Sequence, residues 1–168
     1  MLRASTSAFT RQLREGDTQM EEKKAAAKYA HLILSDLRYE PPMSPDFREI
    51  YRRFAKRVLW IDGDLVPGAF QMNVSWYCKV PEQDPIFAVH RHAAAEIIGF
   101  FGSDPEEPYE LNGEIRVELD GEEHTITRSS LLFLPPELPH AIRILRVDRP
   151  IFHFSVVTEA RYNGSAYR

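Results

Sequence analysis

The spacing of apolar and polar positions divides the chain into a helical front and a β-rich remainder. Glu21 to Leu37 is rich in alanine, lysine and leucine, lacks Gly and Pro, and favours helix. Within it Ala26, Tyr29, Ile33 and Leu37 fall three or four residues apart and form one apolar stripe. Glu40-Pro41-Pro42 ends it. A shorter helix is predicted to start at Ser44, where a serine cap, Pro45 at the first helical position and Asp46 in the first turn agree. Its apolar face is Phe47, Ile50, Tyr51 and Phe54. Arg48, Arg52, Arg53, Lys56 and Arg57 read as a solvated basic face, with attraction of an acidic partner or anionic substrate as the alternative.

From Val58 onwards β signals dominate. Strands are predicted at Val58–Ile61, Ala69–Val80, Ile86–His92 and Ile97–Phe101, the last as a strand buried on both faces. Gly102 to Pro108 reads as a surface insertion. Asn112-Gly113 and Asp120-Gly121 read as turns on either side of Glu114–Leu119, whose Ile115, Val117 and Leu119 alternate with charged residues. Further strands are predicted at His124–Thr127, Leu131–Leu134, Ala141–Leu145 and Ile151–Val157. No internal repeat is visible, so the pattern implies one antiparallel sandwich or jelly roll, residues 58–168, with residues 1–57 as an arm and helices packing on it.

At 168 residues the chain buries a core without a disulfide or metal staple. A net charge of −4 gives no reason to expect nucleic acid or an acidic membrane as partner, and no apolar run reaches the length of a membrane span. Cys78 is the only cysteine, which fits a reducing, cytoplasmic setting. Met1 to Arg14 carries three arginines and no acid, a composition loosely like that of a transit peptide. An ordered arm, packed on the body or on a second subunit, is the preferred reading. With the Tyr29/Ile33/Leu37 stripe it predicts a homodimer.

The candidate chemistry lies in His90-Arg91-His92, Glu96 and His140. Residues two apart on a strand point to one face, so His90 and His92 are predicted to project together. A short bend returns Glu96 towards them, and His140 follows a Pro-rich loop at the start of a strand. Three nitrogens and one oxygen suit a divalent transition metal: iron, manganese, nickel, zinc or copper, with iron put first. His31, His124 and His153 lack such company; His153 is read as an ordinary core or surface histidine.

This arrangement resembles the cupin superfamily over roughly residues 70 to 157. His90, His92 and Glu96 match its first motif, His-x-His, three or four residues, then Glu. Pro135 and His140 match the second, Pro-x-Gly-x-x-His. Glu137 stands at the glycine of that motif, and Ser129-Ser130 replaces a Gly-Asp pair that often precedes it. The resemblance implies a single jelly-roll barrel, mainly β, with the N-terminal helices beside it.

Two residue sets on the long strand alternate, and one must face inwards: Phe70, Met72, Val74, Trp76 and Cys78, or Gln71, Asn73, Ser75 and Tyr77. The more apolar set is chosen, so Phe70, Met72 and Trp76, with Ile142 and Phe154, are expected to line a pocket for a small-molecule ligand. Beyond the metal ligands no catalytic residue is identified; Glu137 reads as a solvated loop acid. The function expected is that of a non-haem oxygenase of the dioxygenase class, acting on a small organic substrate. The alternative is a metal-containing binding or sensor module without turnover.

Overall fold

The computed structural model describes residues 28–38, 43–82 and 88–161. The chain divides into two compact units, Met1–Leu34 and Ser35–Arg168. In the first, the described residues 28–34 hold one 3-10 turn, Ala30–Leu32, none of it buried. The expected helix Glu21–Leu37 therefore does not continue through its second half, because Ile33 caps the turn in an extended conformation. Tyr29 and Ile33 are exposed, so no packing supports a helix that is marginal by itself. Residues 21–27, the arm 1–14 and Pro41-Pro42 lie outside the described residues.

The second unit begins with helix α1, Pro45–Phe54. Ser44 caps it by accepting a hydrogen bond from the Phe47 amide at 3.1 Å. Tyr51 and Phe54 bury its apolar face. Ala55 follows in extended conformation and starts β1, Ala55–Ile61, three residues earlier than the sequence suggests.

Two antiparallel sheets follow, as in a cupin barrel. The larger has the order β1-β2-β8-β3-β6, with β2 Gln71–Tyr77, β3 Glu96–Phe101, β6 Ser130–Leu134 and β8 Ile151–Val157. The smaller has the order β5-β4-β7, with β4 Glu110–Leu119, β5 Glu122–Arg128 and β7 His140–Val147. Asp120 and Gly121 both take positive φ in the turn between β4 and β5, as a tight hairpin requires. Asn112-Gly113 is not a turn. It lies inside β4, where the registers with β5 and β7 shift, and Asn112 adopts positive φ.

Between the sheets, Ile98, Phe100, Leu134 and Ile151 meet Leu111, Ile115, Val117, Ile142 and Ile144. Tyr51, Phe54 and Tyr77 join that core. β3 is not buried on both faces, because Ile97 points outwards and is exposed.

Candidate metal centre

The site sits where several strand ends meet. Gln71, Val157, Glu96 and Leu134 form one cross-strand row of the larger sheet, all buried on its inner face. His140 opens β7 opposite Leu119, the last residue of β4. His90 and His92 do not lie on a regular strand. Residues 83–87 are outside the described set, and His90 makes only an isolated bridge to His140. In that bridge the His90 amide donates to the His140 carbonyl at 3.0 Å, and the His140 amide donates to the His90 carbonyl at 2.8 Å. The Glu137 amide donates to the His92 carbonyl at 2.8 Å and ties the Pro-rich loop to the same segment. Backbone pairing between two irregular segments thus does what strand parity was expected to do.

The side chains converge. One ligand-capable atom from each of His90, His92 and His140 lies within 4.8 Å of the others. Glu96 Oε2 is 3.3 Å from His92 Nε2 and 3.4 Å from His140 Nε2. Donor atoms about 2.0–2.2 Å from a common ion stand roughly 3 Å apart when adjacent and roughly 4 Å apart when opposite. The three imidazoles thus face one small region, and Glu96 reaches its edge beside His92 and His140.

Their protonation suits that role. His140 Nδ1 lies 2.9 Å from the Leu138 carbonyl, and His90 Nδ1 lies 2.9 Å from the Ala88 carbonyl. A carbonyl only accepts, so both Nδ1 atoms carry a proton, and Nε2 of each ring is the atom placed to meet a metal. Burial, reinforced by the neighbouring His140, pushes His90 down to about 4, which keeps it neutral near pH 7. Burial opposes ionisation of Glu96, but His140 and His92 beside it outweigh that penalty and hold the carboxyl well below the usual range. Nε2 of His140 and Oε2 of Glu96 are buried 3.4 Å apart, a contact too poorly aligned to be a full hydrogen bond, and the shortfall costs free energy unless something else binds them. A set of three imidazoles and one carboxylate suits a divalent metal.

The wall beside the site departs from the sequence reading. On β2 it is Gln71, Asn73, Ser75 and Tyr77 that are buried inwards. Met72 and Trp76 lie on the opposite face, and Phe154, paired with Val74 and Gly99, lies on that face too. Phe70 precedes the strand and is 60% exposed. Of the expected pocket residues, Ile142 alone turns to the interior. Asn73 and Ser75 are hydrogen-bonded there. Arg57 Nε donates to Asn73 Oδ1 at 2.8 Å, Ser75 Oγ donates to the same oxygen at 3.3 Å, and the Tyr51 and Ser75 hydroxyls are 2.6 Å apart. Arg57, expected on a solvated helix face, instead belongs to β1 and places its guanidinium over the Tyr51 and Trp60 rings, 4.8 and 5.4 Å from their centres.

His153 is a core residue. It stacks between Tyr77 and Phe100, with ring centres 4.6 and 5.1 Å away, and its Nδ1 lies 3.2 Å from the Gly99 carbonyl. Glu137 is a loop acid 3.9 Å from Arg91, and it takes φ +65 in the place where the motif has glycine. The loop keeps its left-handed residue without the residue that adopts it freely. A cavity of about 230 Å³ lies elsewhere, between α1 and residues 79–82, lined by Ile50, Phe54, Val80 and Pro81. No helix among the described residues is long and apolar enough to cross a membrane.

No protein-family model and no curated protein matches the sequence. Solved structures do match. An oxalate oxidase in complex with the substrate analogue glycolate aligns at a TM-score of 0.52 and 15% identity, covering 84% of this chain and 66% of that chain. A recombinant oxalate oxidase with glycolate gives 0.50 and 15% over the same shares. A chain from a study of DMSP lyases gives 0.40 and 13%, covering 60% of this chain and 45% of that one. The chain thus spans between about half and two thirds of the length of these structures. With its two antiparallel sheets and the histidines of both motifs drawn to one point, this protein is a cupin by fold.

Proposed function

We propose that the protein is a metal-dependent oxidoreductase, a non-haem oxygenase that turns over a small organic acid. The observation that carries this reading is the convergence of three imidazoles within 4.8 Å beside the Glu96 carboxylate. Such a set would leave a bound divalent ion open to exogenous ligands. When bound, iron or manganese supplies Lewis acidity and one-electron chemistry there. The chain's own residues do the rest. His90, His92 and His140 would hold the ion, and Glu96 would offset one of its charges. The inner wall orients the substrate. Gln71 Oε1 is buried and makes no hydrogen bond, so it offers an acceptor to a hydroxyl or acid proton. Asn73, fixed by Arg57 and Ser75, keeps that wall polar. A polar wall favours a hydrophilic chelating substrate over the apolar one suggested by the sequence. The oxalate oxidases that share the fold support small carboxylic acids as the first compounds to try.

One observation favours the alternative of a binding module. His92, Glu96 and His140 are all buried, so access to the site is left mainly to the side of His90, which is partly exposed. The experiment that separates the two is oxygen consumption by iron- or manganese-loaded protein across oxalate, glycolate, other hydroxy acids, catechols, thiols and diketones. Turnover of one class, lost in Glu96→Ala and weakened in Gln71→Leu, supports the oxygenase. Thermal stabilisation by a compound with no oxygen uptake across the panel supports the binding module.

A further inference from the structure

The cavity of about 230 Å³ between the end of α1 and residues 79–82 shares no residue with the metal centre. Its walls are held in place. Phe54, buried, forms the floor, and its ring packs against those of Tyr51 and Tyr77, with centres 5.2 and 5.8 Å away. The Cys78 amide donates to the Phe54 carbonyl at 2.8 Å and pins the segment after β2 to the end of the helix. Ile50, Val80 and Pro81 complete an apolar lining. The volume lies below the roughly 300–1,000 Å³ of sites for drug-sized ligands, so it suits one ring or one short chain.

We propose that this cavity binds a small monocarboxylate with an aromatic or aliphatic body, at a site independent of the metal. Charge selects that occupant. Arg53 and Lys79 line the cavity against a single acid, Glu82. Arg53 pairs with Glu49 at 2.6 Å and stands 3.6 Å from Glu82, while Lys79 makes no ion pair among the described residues. The contact between Arg53 and Glu82 is solvent-exposed and holds neither side chain strongly. The end of a helix adds about half a negative charge. Here it is blunted, because the Tyr51 and Phe54 carbonyls already accept from the Ala55 and Cys78 amides. The lining therefore stays positive on a chain whose net charge is −4, and it draws anions. A bare, hydrated anion gains nothing from Ile50 and Phe54, and an apolar cation is repelled by Lys79. An acid with a compact apolar body satisfies both parts: its body covers Phe54, and its carboxylate accepts a charge-assisted hydrogen bond from Lys79.

The test titrates phenylacetate, and phenylacetamide as its neutral counterpart, into the full chain by calorimetry and amide-resolved NMR. Phenylacetate is expected to bind with a Kd on the order of 1 mM or tighter, and phenylacetamide at least about threefold more weakly. The largest amide shifts are expected at Phe54 and residues 79–82. Lys79→Met is expected to weaken phenylacetate at least about threefold, and Val80→Asp, which sets a like charge in the lining, at least about tenfold. Glu82→Gln removes the competing acid and is expected to strengthen binding about twofold. All three positions are exposed, so the fold is retained. His92→Ala is expected to leave the affinity unchanged. No binding to the wild type up to about 10 mM overturns the proposal. So does equal affinity for phenylacetamide, binding that Lys79→Met and Val80→Asp leave intact, weaker binding in Glu82→Gln, or a loss in His92→Ala, which would put the probe on the metal instead.

Discussion

Strands β4 and β2, one from each sheet, obey opposite rules. In β4, Ile115 and Val117 point into the core while Glu114, Arg116 and Glu118 face solvent, and Arg116 reaches Glu123 on β5 at 3.6 Å. That is the usual pattern of a sheet wet on one side. In β2 the order is reversed, with Gln71, Asn73 and Ser75 buried and Met72, Val74 and Trp76 outwards. The smaller sheet supplies ordinary hydrophobic stability. The larger adds Ile98, Phe100, Leu134 and Ile151 to that core, but on β2 and at Glu96 it buries polar groups, and the apolar residues of β2 cover its back. A sheet that lines a chemical site need not follow the hydrophobic-in rule, because hydrogen bonds satisfy its buried groups at little net cost.

The largest effect that can test this contrast is on stability. Ile115→Ala truncates a side chain with no exposure and is expected to cost about 3 kcal/mol in urea unfolding. Ile97→Ala on the back of the larger sheet is expected to cost no more than about 1 kcal/mol, measured where the chain is monomeric. Equal costs at the two positions would remove the distinction between the faces.

A second effect is on pH dependence. Burial pushes His153 down to about 4, although its bond to the Gly99 carbonyl and the nearby Glu96 raise it and Arg57 lowers it further. Its folded form therefore binds fewer protons than its unfolded form between about pH 6.5 and pH 4. Stability is present above that window and is lost as pH falls through it, by at most about 3 kcal/mol. In metal-free protein His90 adds a loss of the same sign. His153→Phe keeps a ring between Tyr77 and Phe100 and is expected to flatten this slope. An unchanged slope would show that His153 is not buried as a neutral base.

The smallest expected effect lies in the loop before β7. Glu137→Gly releases a side chain from φ +65 and is expected to stabilise the protein by about 0.5 kcal/mol, since glycine's larger unfolded entropy offsets part of the relief. A destabilised variant would mean that the Arg91 contact or the loop's order matters more than its backbone geometry.

Much of this was readable before any coordinates. The strands from Glu114 to Val157 were legible because turns such as Asp120-Gly121 punctuate them and alternation is strong in β4, whereas the start of β4 was hidden by Asn112-Gly113, a turn signal that lies inside the strand. Ser44 and Pro45 marked α1 because capping chemistry is local. The four candidate ligands were legible because their types and spacing are rare together. The facing of β2 was not. A period of two defines two faces without saying which is inside, and apolarity chose the wrong one because this sheet's more apolar face is its back. Arg57 was misread because the helix ends at Phe54 and the next residue is already strand. The His90 segment was misread because a pair of long-range backbone bonds, invisible to periodicity, holds it.

The central claim is that the reversed sheet serves a metal held by His90, His92, Glu96 and His140. Elemental analysis and metal titration of wild-type protein and of His92→Ala, each isolated without chelator or nickel resin, test it directly. The account predicts one divalent ion per wild-type chain, with a gain in thermal stability on loading, and in His92→Ala an affinity weakened by at least about tenfold. Equal metal content and equal affinity in the two proteins would contradict it.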